Sequence, residues 1–210
     1  MLDALKKAVK EAKKKGKPRN FTQSIDIVIN LKDVSFKDPK NKMRQELVLP
    51  HGKGKDVKIG VFAEGDMAIR GKKLGLQIFS KKELESISKD KRKARKMANA
   101  YDFFIAQADM MPLIGKVLGP VLGRRNKMPV IVPPTAPLDP IVEKLKNSIR
   151  INTRDTPIVQ AIIGNEKMDD DKIVENGMAV LNAVKRKYEG MNVLRSVYVK
   201  TTMGPTIKVI

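Results

Sequence analysis

The chain contains no cysteine and only one histidine among its 210 residues. Without cysteine, a disulfide framework and any thiolate metal site are excluded, which is typical of proteins from a reducing compartment. A single histidine, His51, excludes a metal site that needs several imidazoles. His51 lies in a glycine-rich segment with no evident acidic partner, so we interpret it as structural rather than catalytic.

Long apolar runs and aromatic side chains are also scarce. No stretch approaches the roughly 18 apolar residues of a membrane span, and the amino terminus lacks the apolar core of a signal peptide. We therefore expect a cytosolic protein with no membrane partner. Six Phe, three Tyr and no Trp offer few platforms for stacking single-stranded bases, which favours folded RNA or a duplex as the target.

Positive charge is in large excess. The chain has 43 Lys and Arg against 23 Asp and Glu, a formal net charge of +20, and its pI is about 10.1. This excess predicts a polyanionic partner, with nucleic acid ahead of a membrane surface or an acidic protein. The alternative is a Lys-rich solvated surface of the kind that heat-adapted proteins show. The densest basic clusters, at residues 6–19 and 89–96, are either solvated helix faces or binding surfaces.

The first part of the chain is typical of an α+β domain. Apolar residues at helical spacing predict a basic helix over residues 2–15, and Ile25, Ile27 and Ile29 alternate as in a strand. Residues 44–49 are interpreted as the returning strand of a hairpin with a long connection. The glycine-rich segment 50–55 is either an interdomain crossing, which we favour, or a phosphate-gripping loop, although it lacks the Gly-Lys-Ser/Thr of a P-loop.

Strands and helices alternate in the middle of the chain, which predicts parallel βαβ units. The pattern predicts strands over 57–62, 76–79 and 102–106, and helices over 66–74, 82–100 and 138–149. The first strand–helix turn lacks Gly-x-Gly-x-x-Gly, so we do not expect dinucleotide binding. The Gly- and base-rich segment 115–129 is interpreted as a flexible basic loop that binds phosphate, or as a surface connection made of turns.

Beyond residue 151 the pattern returns to that of the first part. It predicts a strand over 158–163, a helix after the acidic triplet 169–171, and a last strand that ends at Thr202. We interpret the triplet as helix capping rather than as a metal site. The fold class is therefore α/β and α+β in two domains: a split two-layer α+β domain with one sheet, residues 1–53 and 152–210, and an inserted three-layer Rossmann-like α/β domain, residues 54–151.

The tail of the chain carries the clearest functional pattern. Thr201, Thr202, Gly204 and Pro205 are grouped where the last strand should end. Gly permits a close approach of the backbone, and hydroxyls and exposed amides suit contacts with ribose and phosphate. The alternative is a plain turn.

Five segments of the chain form a distinctive set. They are Arg-Asn-Phe-Thr-Gln-Ser at 19–24, Leu-Pro-His-Gly at 49–52, the segment 119–129, Gly-Asn-Glu-Lys-Met at 164–168, and the segment 196–205. Together they resemble the large-subunit ribosomal protein L-one family, archaeal type. The resemblance covers nearly the full length, in the right order. One departure is that the family's loop usually reads Leu-Gly-Pro-Arg-Gly, whereas this chain has Leu122-Gly123-Arg124-Arg125-Asn126.

The resemblance implies a structural constituent of the large ribosomal subunit, which is not an enzyme and has no cofactor. Proteins of this family bind the mobile stalk of large-subunit ribosomal RNA near the tRNA exit site and assist the release of deacylated tRNA. Many also repress translation of their own mRNA through a stalk-like site. We therefore expect these RNA partners, a cytoplasmic ribosomal location, and a monomer when free.

The resemblance also assigns the main RNA contact to the split domain. The residues that match the family's contact motifs are Phe21, Thr22, Ser24, Arg154, Asp155, Thr156, Thr201, Thr202, Met203 and Gly204. Small hydroxyls and close backbone can engage 2′-hydroxyls, which distinguish RNA from DNA. Arg124, Arg125 and Lys127 are expected to be secondary phosphate contacts, which add affinity without reading sequence.

Two other functional classes are weighed against this one. An enzyme that acts on tRNA or a nucleotide through the Rossmann-like domain would need an acid–base pair or a phosphate turn, and neither is evident in the sequence. A protein that compacts DNA without sequence specificity would share the basic surface, but it would show no preference for RNA at moderate salt.

Overall fold

The computed structural model describes residues 1–32, 34, 38, 41–88, 90–153, 156–188 and 193–210. Two of the predicted contact residues, Arg154 and Asp155, and Lys89 of the second basic cluster lie outside the described residues. Within the described part of the chain, no helix is long and apolar enough to cross a membrane.

Two compact units make up the chain. Residues 1–55 and 147–210 form the first, which we call the split unit, and residues 56–146 form the inserted unit. The sequence-based boundaries lay after residues 53 and 151. The second division therefore falls five residues earlier than predicted, because residues 148–152 form a strand that pairs within the split unit.

The helices and strands alternate in the inserted unit and are segregated in the split unit. In chain order, the helices are α1 (Leu2–Lys15), α2 (Gly65–Lys73), α3 (Lys81–Ser88), α4 (Lys91–Ala100), α5 (Met111–Leu122), α6 (Asp139–Lys146) and α7 (Asp170–Lys187). The strands are β1 (Ser24–Leu31), β2 (Arg44–Val48), β3 (Ile59–Phe62), β4 (Gln77–Phe79), β5 (Phe103–Gln107), β6 (Val130–Val132), β7 (Ser148–Asn152), β8 (Ile158–Asn165), β9 (Leu194–Thr201) and β10 (Thr206–Lys208).

The split unit is built on an antiparallel sheet of order β10–β9–β1–β8. Along β1, Ile25, Ile27 and Ile29 are fully buried and alternate with half-buried residues on the opposite face. The buried side chains pack against α1 and α7, so the unit has two layers, one of helices and one of strands. The isoleucine alternation therefore predicted both the strand and its core-facing side.

The predicted hairpin between β1 and residues 44–49 is wrong. β2 pairs with β7 in a separate two-stranded sheet, with Leu47 opposite Ile149. Both edges of β1 are already occupied, by β8 on one side and β9 on the other, so β2 has no free edge of β1 to join. The split unit consequently has two sheets rather than the single one expected.

Two members of the acidic triplet at the start of α7, Asp170 and Asp171, form ion pairs with α1. Asp170 contacts Lys13 at 2.6 Å and Asp171 contacts Lys6 at 2.5 Å. Asp169 occupies the N-cap position, but its side chain makes no capping hydrogen bond, so the capping interpretation is not what the structure shows. The hydrogen bond with Lys6 lowers the pKa of the Asp171 carboxyl. The triplet therefore fastens the two helices that cover the sheet.

The inserted unit is a three-layer sandwich around a parallel sheet of order β4–β3–β5–β6. One face of the sheet packs Phe62 and Phe104 against α3, α4 and α5, while the other packs Val61 and Ile105 against α2 and α6. Helices on both faces of a parallel sheet are the Rossmann-like arrangement. The predicted fold class, a mixed α/β and α+β chain with two domains, is confirmed.

Two predicted helices of the inserted unit have different limits. The helix expected over 82–100 is divided into α3 and α4, because Asp90 caps the second helix by accepting hydrogen bonds from the backbone of Arg92 and Lys93. The helix expected to reach residue 149 ends at Lys146, and Ile149 belongs to β7.

The predicted flexible loop over 115–129 is largely helix α5. Its glycines and Pro120 disfavour a helix locally, but Ile114, Leu118 and Leu122 recur every four residues and are fully buried. Burial of this stripe outweighs the local propensities. At the end of the following turn, Asn126 adopts a left-handed conformation with φ of 53°. Asn tolerates this conformation better than most residues, which explains how it stands where the family usually has Gly.

Candidate nucleic-acid interface

The start of β1 and the end of β9 lie side by side at one end of the main sheet of the split unit. Ile25 pairs with Thr201, and the hydrogen bonds continue one residue further. The Thr202 hydroxyl lies 3.1 Å from the Ser24 nitrogen and 3.3 Å from its carbonyl oxygen, and the Thr202 N–H donates to the same carbonyl at 3.0 Å. The Thr202 hydroxyl and backbone thus extend the hydrogen bonds between β1 and β9 by one residue. Ser24 and Thr202 are held together where β1 begins and β9 ends.

Gln23 joins four segments at this end. Its side chain is 2 % exposed, donates to the Lys17 carbonyl at 3.0 Å and accepts from the Met203 N–H at 3.1 Å. Its backbone exchanges two hydrogen bonds with Glu166, one of them to the carboxylate at 3.0 Å. The side chain and backbone of Gln23 therefore together link the segment after α1, the start of β1, the 165–168 turn and the tail.

The tail makes a tight turn between β9 and β10. The Gly204 N–H donates to the Thr201 carbonyl at 3.2 Å, and a Cβ at Gly204 would lie 2.1 Å from the Thr201 hydroxyl oxygen. Gly16 packs against the same hydroxyl, which a Cβ there would approach to 3.3 Å. Glycine is favoured at position 204 because a Cβ there would collide with the buried side chain of Thr201. The tail is therefore a tight turn, as one interpretation of the sequence predicted. A tight turn is also compatible with the other interpretation, a contact with ribose and phosphate.

Two large apolar side chains are exposed beside this turn. Phe21 is 50 % exposed and Met203 is 58 % exposed. Gln23 holds the Met203 backbone directly, and its bond to the Lys17 carbonyl closes the 17–23 segment that carries Phe21. Thr22 and Thr202 are exposed next to them, whereas Thr201 is buried and its hydroxyl has no hydrogen-bond partner. Apolar and hydroxyl groups on a rigid backbone are suited to stacking on bases and to bonding ribose.

Basic side chains surround the cluster. Lys17, Arg19 and Lys167 are exposed on its segments, and Lys200 lies on β9 directly opposite Asp26 on β1. Burial raises the pKa of the Asp26 carboxyl, and the charge of Lys200 acts in the opposite direction. The surface is therefore positive around an apolar and hydroxyl centre.

The structure brings together seven of the predicted contact residues and places Thr156 elsewhere. Those at the 24/201 end of the sheet, which we call the strand-end cluster, are Phe21, Thr22, Ser24, Thr201, Thr202, Met203 and Gly204. Thr156 is exposed just before β8, near Asn30 at the opposite end of β1. Six residues of strand, about 20 Å, separate the two ends.

The predicted secondary phosphate contacts lie in the inserted unit. Lys127 donates to the carbonyls of Ala98 at 2.9 Å and Tyr101 at 2.6 Å, so its ammonium holds the turn to α4. Arg125 donates to Asn99 at 3.0 Å and to the Val121 carbonyl at 3.1 Å. Arg124 is exposed.

The sequence interpretation missed Gln23, Glu166 and Gly16. One signal for Gln23 was present, because it has the same parity as Ile25 and Ile27 and therefore lies on the core-facing side of the strand. A polar residue at a core position needs hydrogen-bond partners. Glu166 and Gly16 have no such signal, since their partners are distant in sequence.

His51 has the acidic partner that the sequence did not reveal. Its Nε2 lies 2.5 Å from a carboxylate oxygen of Glu175 on α7, and buried Asn176 accepts from the His51 N–H and donates to the Gly52 carbonyl. The segment is thus tied to α7, as a structural role requires. Among the described residues, no group of acidic or histidine side chains is arranged to hold a metal ion.

Comparison with known proteins identifies the family. The model of the Ribosomal protein L1p/L10e family matches residues 5–205. The large ribosomal subunit protein uL1 of Pyrococcus horikoshii is 57% identical over 204 residues, which cover 96% of this chain and 93% of that protein. The protein of the same name from Thermococcus kodakarensis is 56% identical, over 98% of this chain and 96% of that protein. The one from Methanothermobacter thermautotrophicus is 49% identical, over 100% of both chains. The chain therefore belongs to the Ribosomal protein L1p/L10e family.

Proposed function

We propose that this protein is a non-catalytic constituent of the large ribosomal subunit in the cytoplasm, and that it binds the mobile stalk of large-subunit ribosomal RNA near the tRNA exit site. In this position it assists the release of deacylated tRNA. The same surface binds a stalk-like site in the protein's own mRNA and represses its translation. The protein is a monomer when free.

The strand-end cluster is the observation that carries the proposal. Phe21 and Met203 are exposed by half or more. The Gln23 side chain accepts a hydrogen bond from the Met203 N–H, and its bond to the Lys17 carbonyl closes the 17–23 segment that carries Phe21. Exposed apolar side chains held rigidly lose little entropy on binding, and they stack well against unpaired or terminal bases. The relatives named as ribosomal subunit proteins support RNA as the partner.

Hydroxyl groups in the cluster suit RNA rather than DNA. Thr202 and Thr22 are exposed, and the hydroxyl of Thr202 already bridges the backbone of Ser24, which orients its remaining lone pair. A 2′-hydroxyl can donate to such an oxygen, and DNA has no equivalent group. Lys17, Arg19 and Lys167 add phosphate contacts that raise affinity without selecting a sequence.

Arg154, Asp155 and Thr156 are proposed as a second contact of the same RNA. Thr156 lies at the far end of β1, so an RNA that touches both ends must span about 20 Å. A stem with adjoining loops is long enough to do so. Arg124, Arg125 and Lys127 remain proposed secondary phosphate contacts in the inserted unit.

The proposal is tested by recovering RNA bound to the full-length protein from total cellular RNA and footprinting it. Large-subunit RNA, protected over one stem and its adjoining loops, is the expected result, with the protein's own mRNA as the second species. A variant with Phe21→Ala and Met203→Ala serves as the control that must lose this protection. Recovery of RNA in proportion to abundance, equal for both proteins, would refute a specific site.

A further inference from the structure

The inserted unit carries a strongly basic helix that the strand-end cluster does not use. In α4, Ala94, Met97 and Ala98 are buried, and the cations occupy the outward side. The exposed cations are Lys91, Arg92, Lys93, Arg95 and Lys96. No acidic residue occurs within this helix, so its outer surface has one sign of charge.

The charge order of α4 opposes its own dipole. Its first turn contains Lys91, Arg92 and Lys93 and no acidic residue, and its last turn has no basic residue. Helices α1 and α7 show the favourable order instead, with acids in the first turn and lysines in the last. Positive charge near a helix amino terminus is destabilising, and only the Asp90 cap offsets it here.

The cations of α4 also repel one another. Lys91 and Arg95, like Arg92 and Lys96, are four residues apart and therefore neighbours on the helix surface. Among the residues that the structure describes, none of these cations forms an ion pair with a carboxylate. The arrangement thus weakens the free helix, and a polyanion that neutralised it would remove this repulsion.

The outward row of α4 continues onto the turn after α5. Arg92, Arg95, Lys96 and Asn99 are spaced as one helix face, and Asn99 accepts a hydrogen bond from Arg125 at 3.0 Å. Arg124 is exposed beside it. We define the α4 basic face as Arg92, Arg95, Lys96, Arg124 and Arg125.

Arginine is concentrated on this face. The chain has 11 Arg and 32 Lys, and four of the 11 Arg belong to the α4 basic face. A guanidinium binds phosphate oxygens in a bidentate manner, whereas lysine supplies a point charge. The face offers no aromatic side chain on which a base could stack, so it suits backbone contacts and not base reading.

This inference rests on the proposed function, which already assigns phosphate contacts to Arg124 and Arg125. We propose that α4 extends these contacts into a second RNA-binding surface, the α4 basic face, which takes the phosphate backbone of an RNA double helix without reading its sequence. RNA is preferred over an acidic protein because the face is rich in Arg and the chain's relatives are ribosomal proteins. The surface is separate in sequence from the strand-end cluster, and its cations add to the salt-dependent part of RNA affinity.

The test uses the full chain with four substitutions, Arg92→Gln, Arg95→Gln, Lys96→Gln and Arg124→Gln. The probe is an RNA duplex of unrelated sequence, titrated at several potassium concentrations. Each lost phosphate contact reduces the slope of log affinity against log salt by about 0.9, so four contacts reduce it by about 3.6. A control variant, with Lys72, Lys73, Lys144 and Lys146 changed to Gln, removes the same charge from the last turns of α2 and α6 in the same unit, and we expect its slope to change by less than about 1.

Equal slopes in the two variants would mean that net charge alone is responsible, and an unchanged slope in the first would mean that RNA does not contact this face. Either result overturns the proposal. Polyglutamate is titrated as a second probe, which represents an acidic protein. If the first variant loses polyglutamate binding but retains RNA binding, the partner is an acidic protein and the proposal is overturned as well. The melting temperature of the first variant should equal or exceed that of the unmodified protein, because repulsion between the cations of α4 is relieved. If the melting temperature falls, the single variant Arg124→Gln, which lies outside the helix, must still reduce the slope of log affinity against log salt. The first variant must also keep its preference for stalk RNA over an unrelated hairpin, which separates this surface from the strand-end cluster.

Discussion

The side-chain oxygen of Gln23 accepts a hydrogen bond from the backbone N–H of Met203 at 3.1 Å, across 180 residues of sequence. The same amide donates to the Lys17 carbonyl at 3.0 Å. One buried side chain therefore sets the distance between the tail turn and the start of β1, from which Met203 and Phe21 project.

Replacing this amide should affect both stability and RNA binding. Gln23→Ala removes the hydrogen bonds to the Met203 N–H and the Lys17 carbonyl, and each lost bond costs about 0.5–1.5 kcal/mol. We expect lower stability in urea denaturation and weaker binding of stalk RNA. The control is Gln160→Ala on β8, where the glutamine is exposed, and it should change neither quantity. A Gln23→Ala protein with unchanged affinity for stalk RNA would show that the four segments do not depend on this amide.

Gly204 should tolerate no side chain. A Cβ there would lie 2.1 Å from the Thr201 hydroxyl oxygen, with Gly16 on the other side. Gly204→Ala therefore has to displace the tail turn, and we expect loss of stalk RNA binding together with a lower melting temperature. Gly115→Ala in α5 is the matched change, because a Cβ there meets nothing within 4 Å. That substitution should stabilise the helix by about 0.5–1 kcal/mol. Equal effects of the two alanines would contradict the close approach at Gly204.

Asp26 should make stability fall as pH rises through the acidic range. Burial raises its pKa above the ordinary value of 3.8 in the folded protein, so the folded state holds the proton more tightly than the unfolded state. The contribution to stability is complete below pH 3.8 and is lost as pH rises through the raised pKa. Asp26→Asn should therefore be more stable than the unmodified protein at neutral pH, and this difference should shrink on acidification. A constant difference over this range, measured by denaturant unfolding, would argue that the Asp26 carboxyl titrates normally.

The split unit should fold and bind RNA without the inserted unit. The Leu49 N–H donates to the Asn147 carbonyl at 2.8 Å, so a short linker can join residues 1–55 to 147–210. Joining residues 1–53 to 152–210 instead removes most of β7 and leaves β2 unpaired. We expect cooperative unfolding and specific RNA binding for the first chain and reduced stability for the second. A folded first chain that has lost specific affinity would place recognition in the inserted unit.

Local patterns in the sequence predicted what depends on neighbouring residues. The alternation of Ile25, Ile27 and Ile29 predicted β1 and its buried face, and the succession of strands and helices predicted the parallel sheet. The partner of β2 could not be predicted in this way, because β7 lies about 100 residues away and pairing depends on which sheet edges remain free. The helix α5 was missed because its glycines and Pro120 suggest turns, while the burial that overrides them is tertiary.

The candidate site shows the same division. The resemblance to a known family identified Phe21, Thr202 and Met203, and the structure places them at one end of a sheet. Gln23 lies within the motif at 19–24 and on the core-facing side of β1, but its two partners, the Lys17 carbonyl and the Met203 N–H, are evident only in the fold. The basic cluster at 89–96 could not be divided into structural and binding charges until the buried side of α4 was known.

The most direct test of the strand-end cluster compares two sets of exposed apolar side chains. Phe21→Ala with Met203→Ala removes side chains that are 50 % and 58 % exposed, and Ile69→Ala on α2 removes one that is 56 % exposed in the inserted unit. Affinities for a fragment of the ribosomal RNA stalk and for an unrelated hairpin are measured from low to high potassium. The double variant should lose at least about tenfold in affinity for the stalk, because each lost stacking contact costs about 1–3 kcal/mol. Its affinity for the hairpin should not change, and the Ile69→Ala protein should keep its affinity for both RNAs. For the unmodified protein, the ratio of the two affinities should widen as salt rises. Equal loss on both RNAs, or a constant small ratio at all salt concentrations, would mean that charge alone drives binding and that the cluster is only a structural turn.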